Sequence, residues 1–407
     1  MKKDIVDMHA HPSLKLYYMP YLLKNFKIKT FSGPIFNPLG MRTRYSNIKK
    51  SSVKVIVNAH YVIERDFIKI GFKKVTRGLL WGIAPTLLYK IITKDPYQSL
   101  IEQFDILENS VKKSNKSLVE FNKKRLKMIY SASEIDNLKD NEVAIIHAIE
   151  GVHSLGYKPK DNETLEQFFI KIKERLLYLK SRGLAMVGIS HFWDNMYLPQ
   201  TDGTEIISKK VNGKITSVRD DKLFQMKKAK WRWGDSKKLS KEFIELLLEN
   251  NILIDVVHTQ IEAREEIYKL CARYNKPVVV SHVGLKHFFN HEYNLSDKEI
   301  LTIHKLGGVI GLILSKRWLV APKNRKRYKG GLDDLVENIK YIKKLTGDVS
   351  TITIGTDFDG FTTPFTDCYT YADMDKLVDK LLEEFSQDEV EKILHKNAIR
   401  VLKAGWR

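Results

Sequence analysis

Residues 252–258 read ILIDVVH and residues 278–282 read VVVSH. Each is a short apolar run rich in β-branched residues, too brief for a helix, and each delivers a histidine at its end. Strands that are apolar at nearly every position are covered on both faces, as in a parallel sheet under helices. Six further runs share this character: Ile5–His9, Val53–Asn58, Val143–Glu150, Ala185–Ser190, Gly308–Leu314 and Thr351–Thr356. With Ile252–Val257 and Pro277–Ser281 they make eight expected strands.

The stretches between them carry apolar residues at three- and four-residue spacing, the signature of helices with one buried face. Leu165–Ser181, Ser240–Asn250, Leu332–Leu345, Met374–Phe385 and Asp388–Leu402 are predicted helices, the last capped by Ser386. Eight strands alternating with helices predict the α/β class and a (β/α)8 TIM-type barrel, with a doubly wound open sheet as the alternative. No repeat or low-complexity linker divides the chain, so residues 1–407 are expected to form one domain. The connections at about 13–50, 61–95 and 199–235 are too long for turns and are read as insertions.

Bulk composition excludes other classes. With 43% hydrophobic and 29% charged residues the chain is globular, neither a disordered tail nor a membrane bundle. Cys271 and Cys368 lie far apart and form no metal-binding or redox pair, which predicts a reducing, cytoplasmic setting. The opening MKKDIVDMHAH reads as a first strand rather than an export signal, because Asp4 and Asp7 interrupt any apolar stretch.

One kind of residue recurs at one kind of place. His9 and His11 end the first strand, Glu150 the third, and His191 follows the fourth; His258, His282 and Asp357 follow the fifth, sixth and eighth. A barrel gathers all strand C-termini on one face, so these residues are expected to converge. Singly, each has an ordinary explanation as a cap or packing residue. Together, imidazoles and carboxylates are the ligands that zinc and similar ions prefer, in number sufficient for one or two divalent ions. His147 differs from Glu150 by an odd number of positions and is expected to face the helices. Asp359 is read as structural within its DFDG turn, and His60, His153, His287 and His291 as supporting or surface residues.

The motifs EGVHSLG (150–156), SHFWDN (190–195), IDVVH (254–258), SH (281–282) and GTDFDG (355–360) resemble the renal (membrane) dipeptidase family, a branch of the amidohydrolase superfamily. The resemblance implies a metallohydrolase that cleaves an amide bond, in a dipeptide, by means of a metal-activated hydroxide. It implies that Glu150 bridges two ions, with His9 and His11 at one and His258 and His282 at the other. It assigns His191 to the scissile region of the substrate and Asp357 to the proton shuttle. Two departures stand out. His11 occupies a position where that family has an aspartate, and Tyr293 stands where an arginine would hold a dipeptide's carboxylate. Tyr293 and Arg317 are therefore the candidate substrate-binding residues, with Lys286 another source of a cation. An amidohydrolase-superfamily enzyme for an ester, lactone or N-acyl substrate is the second reading, and a non-catalytic barrel that binds an anionic partner the third.

The net charge of +20 is concentrated at one end. Residues 1–130 hold 25 Lys and Arg against 9 Asp and Glu. Basic segments 13–50, 199–238 and 316–329 all follow expected strands and so should surround the mouth of the site. The stretch GLLWGIAPTLLYKII (78–92) is too short to span a bilayer but has basic flanks suited to its surface. An anionic membrane surface or polyanionic substrate is the expected partner of this rim, with peripheral membrane attachment as a possible location. No recognised nucleic-acid module is present, and no specific nucleic acid is expected.

Overall fold

The structure is a computed structural model and describes residues 4–18, 40–65, 85–116, 124–192, 195, 197–198, 201, 209–211, 214–216, 235–321 and 331–407. Eight parallel strands form its centre: β1 (Ile5–Ala10), β2 (Val53–Tyr61), β3 (Glu142–Glu150), β4 (Leu184–Gly188), β5 (Leu253–Asp255), β6 (Val279–Val283), β7 (Val309–Ile313) and β8 (Ile352–Gly355). Each pairs with its sequence neighbour, and β8 returns to β1 through Asp7 and Ile354. Closure into a ring excludes the open-sheet alternative; the fold is a (β/α)8 barrel. All eight expected strands are present.

Parity along β3 shows how the barrel sorts its residues. Ala144, Ile146 and Ala148 face inward, in one cluster with Val6, Val55, Val57, Val279 and Val309. Val143, Ile145 and Ile149 face the helical layer. Glu150 shares the inward parity and arrives at the C-terminal mouth. His147 points outward as expected, stacking on Phe104 with ring centroids 4.1 Å apart.

Phe104 belongs to a helix absent from the sequence expectations, Pro96–Lys116, which buries Leu100, Phe104, Leu107 and Val111. Helices Ile261–Arg273 and Asp297–Lys305 were likewise unforeseen, as was a short strand, Arg125–Met128. That strand pairs with residues 142–145 of β3, while β4 pairs with 147–150, so it fills the edge that β4 leaves open. The predicted helix Leu165–Ser181 has those bounds, capped reciprocally by Thr164 and Gln167. Ser386 caps the C-terminal helical run as expected, although a π-helical turn at Lys392–Lys396 interrupts it.

After that turn, helix Asn397–Gly405 covers the N-terminal end of the barrel. Ala398, Val401, Leu402 and the buried Trp406 join the inward-facing cluster. Arg400 donates to the carbonyls of Gly307 and Ser350, just before β7 and β8. Gly405 allows the close approach there, because a Cβ would lie 2.1 Å from a methyl of Leu253. Much of the insertions at 13–50, 61–95 and 199–235 lies outside the described residues, including Lys73, Lys74 and Arg77 of the basic flank before 78–92 and Trp231 and Trp233 of the basic segment 199–238. The described helix Pro85–Ile92 holds the end of the 78–92 stretch. Among the described residues no helix is long and apolar enough to cross a membrane.

Candidate metal centre

A bulge in β1 aims the first ligands. Asp7 pairs with Ile56 and Ala10 with Asn58, so β1 holds one more residue than β2 over that interval. Such a bulge redirects side chains. It leaves His9 and His11 both at the mouth, with their Nε2 atoms 3.0 Å apart.

Five imidazoles converge on one carboxylate. The Nε2 atoms of His9, His258 and His282 lie 3.5, 3.4 and 3.6 Å from Oε1 of Glu150. Those of His11 and His191 lie 3.4 and 3.6 Å from Oε2. Asp357 Oδ1 is 3.1 Å from His11 Nε2. All seven side chains are buried. Those named by strand position in the sequence are thus brought to one place.

The elements end so as to permit this. β5 stops at Asp255, whose carboxylate accepts from the amides of Val257 and Ser281. His258 follows in a left-handed conformation, φ 63°, and Asp357 sits beyond β8 at φ 55°. Non-glycine residues held in that region cluster where function outweighs local strain. Gly151, at φ 88°, follows Glu150, and a Cβ there would strike the His153 ring.

Protonation suits the site to a cation. Burial, reinforced by the neighbouring His282, holds His9 well below the usual histidine pKa, and burial lowers His258 and brings His282 down to about 4. These rings are neutral and present lone pairs. Burial pushes the Glu150 carboxyl upward, but the surrounding histidines, His191 foremost, outweigh it and hold it well below the ordinary range. Burial also opposes protonation of His11, yet Glu150 and Asp357 raise its pKa.

The far nitrogens are anchored. His11 Nδ1 lies 3.0 Å from the Ala59 carbonyl and donates to it, which turns Nε2 toward Glu150 and Asp357. Ser281 Oγ lies 2.9 Å from His9 Nδ1 and 2.8 Å from His282 Nδ1, and its own hydrogen goes to Asp255. Sets whose ligand atoms all fall within 4.8 Å are His9–His11–Glu150, Glu150–His191–His258 and His9–Asp255–His282. Imidazoles gathered around a buried carboxylate fit a divalent metal. Asp255 is already engaged by three donors and serves better as an anchor than as a ligand.

Several expectations are refined. His191, foreseen as a substrate contact, lies as near Glu150 as the foreseen ligands do. Tyr293, foreseen as a substrate contact, is buried and its hydroxyl donates to the His282 carbonyl at 2.6 Å. Arg317 lies on the helix Lys316–Leu319, but its side chain is outside the described residues. Lys286 donates its backbone amide to Leu295. Asp359 is structural as expected, accepting from Lys15, the Arg42 amide and Thr43. His60 and His153 are buried supports, bonded to Ser13 and the Val62 carbonyl. Ser281, Asp255 and Glu64 are the residues that strand-end reasoning missed; only adjacency to the SH motif could have flagged Ser281.

With this geometry in hand, comparison with known proteins is informative. Residues 220–405 match the family model of membrane dipeptidase, peptidase family M19. The chain is a metallohydrolase resembling membrane dipeptidase. A protein of Klebsiella pneumoniae described as an uncharacterized protein in the pqqA 5' region is 24% identical over 317 residues, covering 77% of this chain and 98% of its own. Among solved structures, dipeptidase AC, a metallo peptidase of family M19, superposes with TM-score 0.68 at 14% identity, over 99% of this chain and 98% of its own. A metallo peptidase from Rhodobacter sphaeroides liganded with a phosphinate mimic of the dipeptide L-Ala-D-Ala gives 0.66 at 14% identity, over 99% of each chain. The probable dipeptidase PvdM from Pseudomonas aeruginosa gives 0.66 at 15%, over 98% of this chain and 95% of its own. At these identities the superpositions speak for the barrel fold.

Proposed function

We propose that this chain hydrolyses the amide bond of a dipeptide-like substrate, using two divalent cations, zinc by preference. The observation that carries the reading is the convergence of five imidazole nitrogens on the Glu150 carboxylate. Glu150 would bridge the ions, His9 and His11 would hold one, and His258 and His282 the other. Zinc suits a site dominated by imidazole. When bound, such a pair supplies an activated water and polarises the carbonyl.

The remaining steps belong to the chain. Asp357, beside His11, would take the water's proton and deliver it to the departing amine. His191 would stand at the developing oxyanion. Because Tyr293 is committed to the backbone, a dipeptide's carboxylate needs another partner. A cavity of about 790 Å³ next to Glu64 and His153 offers Arg65, Lys90 and Lys158 on its walls. We assign the anionic end of the substrate to this side of the mouth. A cytoplasmic location, suited to two buried free thiols, remains part of the proposal.

A panel of dipeptides tests the reading. Peptides with a D-residue at the C-terminal position come first, given the ligand of the Rhodobacter neighbour; simple esters and lactones stand beside them. Hydrolysis of dipeptides by zinc-loaded protein, abolished by chelation and restored by metal, is expected. Turnover of esters or lactones alone would move the assignment to another bond type.

A further inference from the structure

His191 is held between two carboxylates. On one side its Nε2 lies 3.6 Å from Glu150 Oε2; on the other its Nδ1 lies 3.1 Å from Glu64 Oε1. Glu64 stands three residues beyond β2, in NAHYVIERD, and is buried. Its Oε1 also faces the Phe192 amide at 3.4 Å, and its Oε2 accepts from the Tyr61 hydroxyl. The Tyr61 ring in turn lies against His191, centroids 4.1 Å apart. Tyr61 is the register partner of Glu150 across β2 and β3. The tyrosine therefore ties the acid beyond β2 to the strand that carries the central carboxylate.

We infer that Glu64, locked by Tyr61, is a positioning residue that holds a proton on Nδ1 of His191 and fixes the orientation of its ring. An ionised carboxylate only accepts, so the proton it faces must sit on Nδ1. Nε2 is then the atom turned to the reaction; it donates to an oxyanion when it too carries a proton, a charge offset by Glu64 and Glu150 on either side of the ring, and the packed Tyr61 ring prevents a flip that would exchange the two nitrogens. Carboxylates behind a site's histidines act in this way in other metal and acyl-transfer sites. The inference deepens the proposed function by naming what aims its oxyanion-side histidine.

The decisive measurement is ¹⁵N NMR of the imidazoles in metal-free wild-type protein and in Glu64→Gln, with His191→Asn identifying the signal. The wild type should show a protonated Nδ1 at His191, and the variant a loss of protonation at that nitrogen. An unchanged pattern overturns the inference, whether or not any dipeptide is cleaved. In zinc-loaded protein, Glu64→Gln should lower kcat by about 10- to 100-fold with KM and metal content little changed. Glu64→Asp should restore part of the loss, and Tyr61→Phe should show a smaller loss of the same kind. Loss of metal instead of kcat, or full activity in Glu64→Gln with the wild-type protonation, rejects the role.

Discussion

Ser281 gives its hydroxyl hydrogen to Asp255, and that single bond settles the state of two histidines. A hydroxyl has one proton and two lone pairs. With the proton spent on Asp255, Oγ can only accept from the Nδ1 atoms of His9 and His282, which turns both Nε2 lone pairs toward Glu150. Ser281→Ala is thus expected to weaken divalent-metal affinity by about 10- to 100-fold while leaving the fold intact. Competition against a chromogenic chelator measures it; affinity equal to wild type would remove Ser281 from this role.

Asp357 is expected to matter to rate more than to folding. Asp357→Asn keeps the size and the turn-forming habit of the side chain at φ 55° but removes the base. Hydrolysis should fall by on the order of 10²–10⁴-fold. Steady-state kinetics beside a thermal melt separates the two effects, and an equal loss of stability would point to a structural role.

Lys15 and Asp359 form a buried pair at 2.9 Å, and its pH dependence has a definite sign. Burial raises the Asp359 pKa, but Lys15 and Arg42 outweigh it and hold it below the usual value. A depressed folded-state pKa contributes stability above the unfolded value of about 3.9, lost as pH falls through the folded value. Lys15→Met should cost about 1.5–3 kcal/mol at neutral pH, because Asp359 keeps its Arg42 and Thr43 donors but loses its nearest countercharge. Urea titrations at pH 7 and pH 4 should show the deficit shrinking at the lower pH; a constant deficit would contradict the pairing.

Tyr293→Phe removes the donor to the His282 carbonyl. A stability loss of about 0.5–1.5 kcal/mol is expected, with dipeptide KM almost unaltered. A large rise in KM for dipeptides, absent for their C-terminal amides, would return Tyr293 to the substrate.

How much of this was legible in the sequence depended on whether alternation carried it. Glu150 and His147 were sorted by parity within one apolar strand, and the histidines by their place after such strands. The helix Pro96–Lys116 was legible in principle through Leu100, Phe104, Leu107 and Val111, but its charged faces masked the stripe. Asp255 reads in sequence as one polar residue in an apolar strand, and Glu64 as one acid in a loop. Their meaning lies in contacts spanning 26 and 127 positions, to Ser281 and His191, which no local pattern encodes.

The helix Asn397–Gly405 follows every strand whose cavity it closes. On an emerging polypeptide the walls of the barrel are therefore made before its floor. Trp406 and its neighbours, which pack in one cluster with Val6, Val55 and Val279, are the last part of that interior to be supplied.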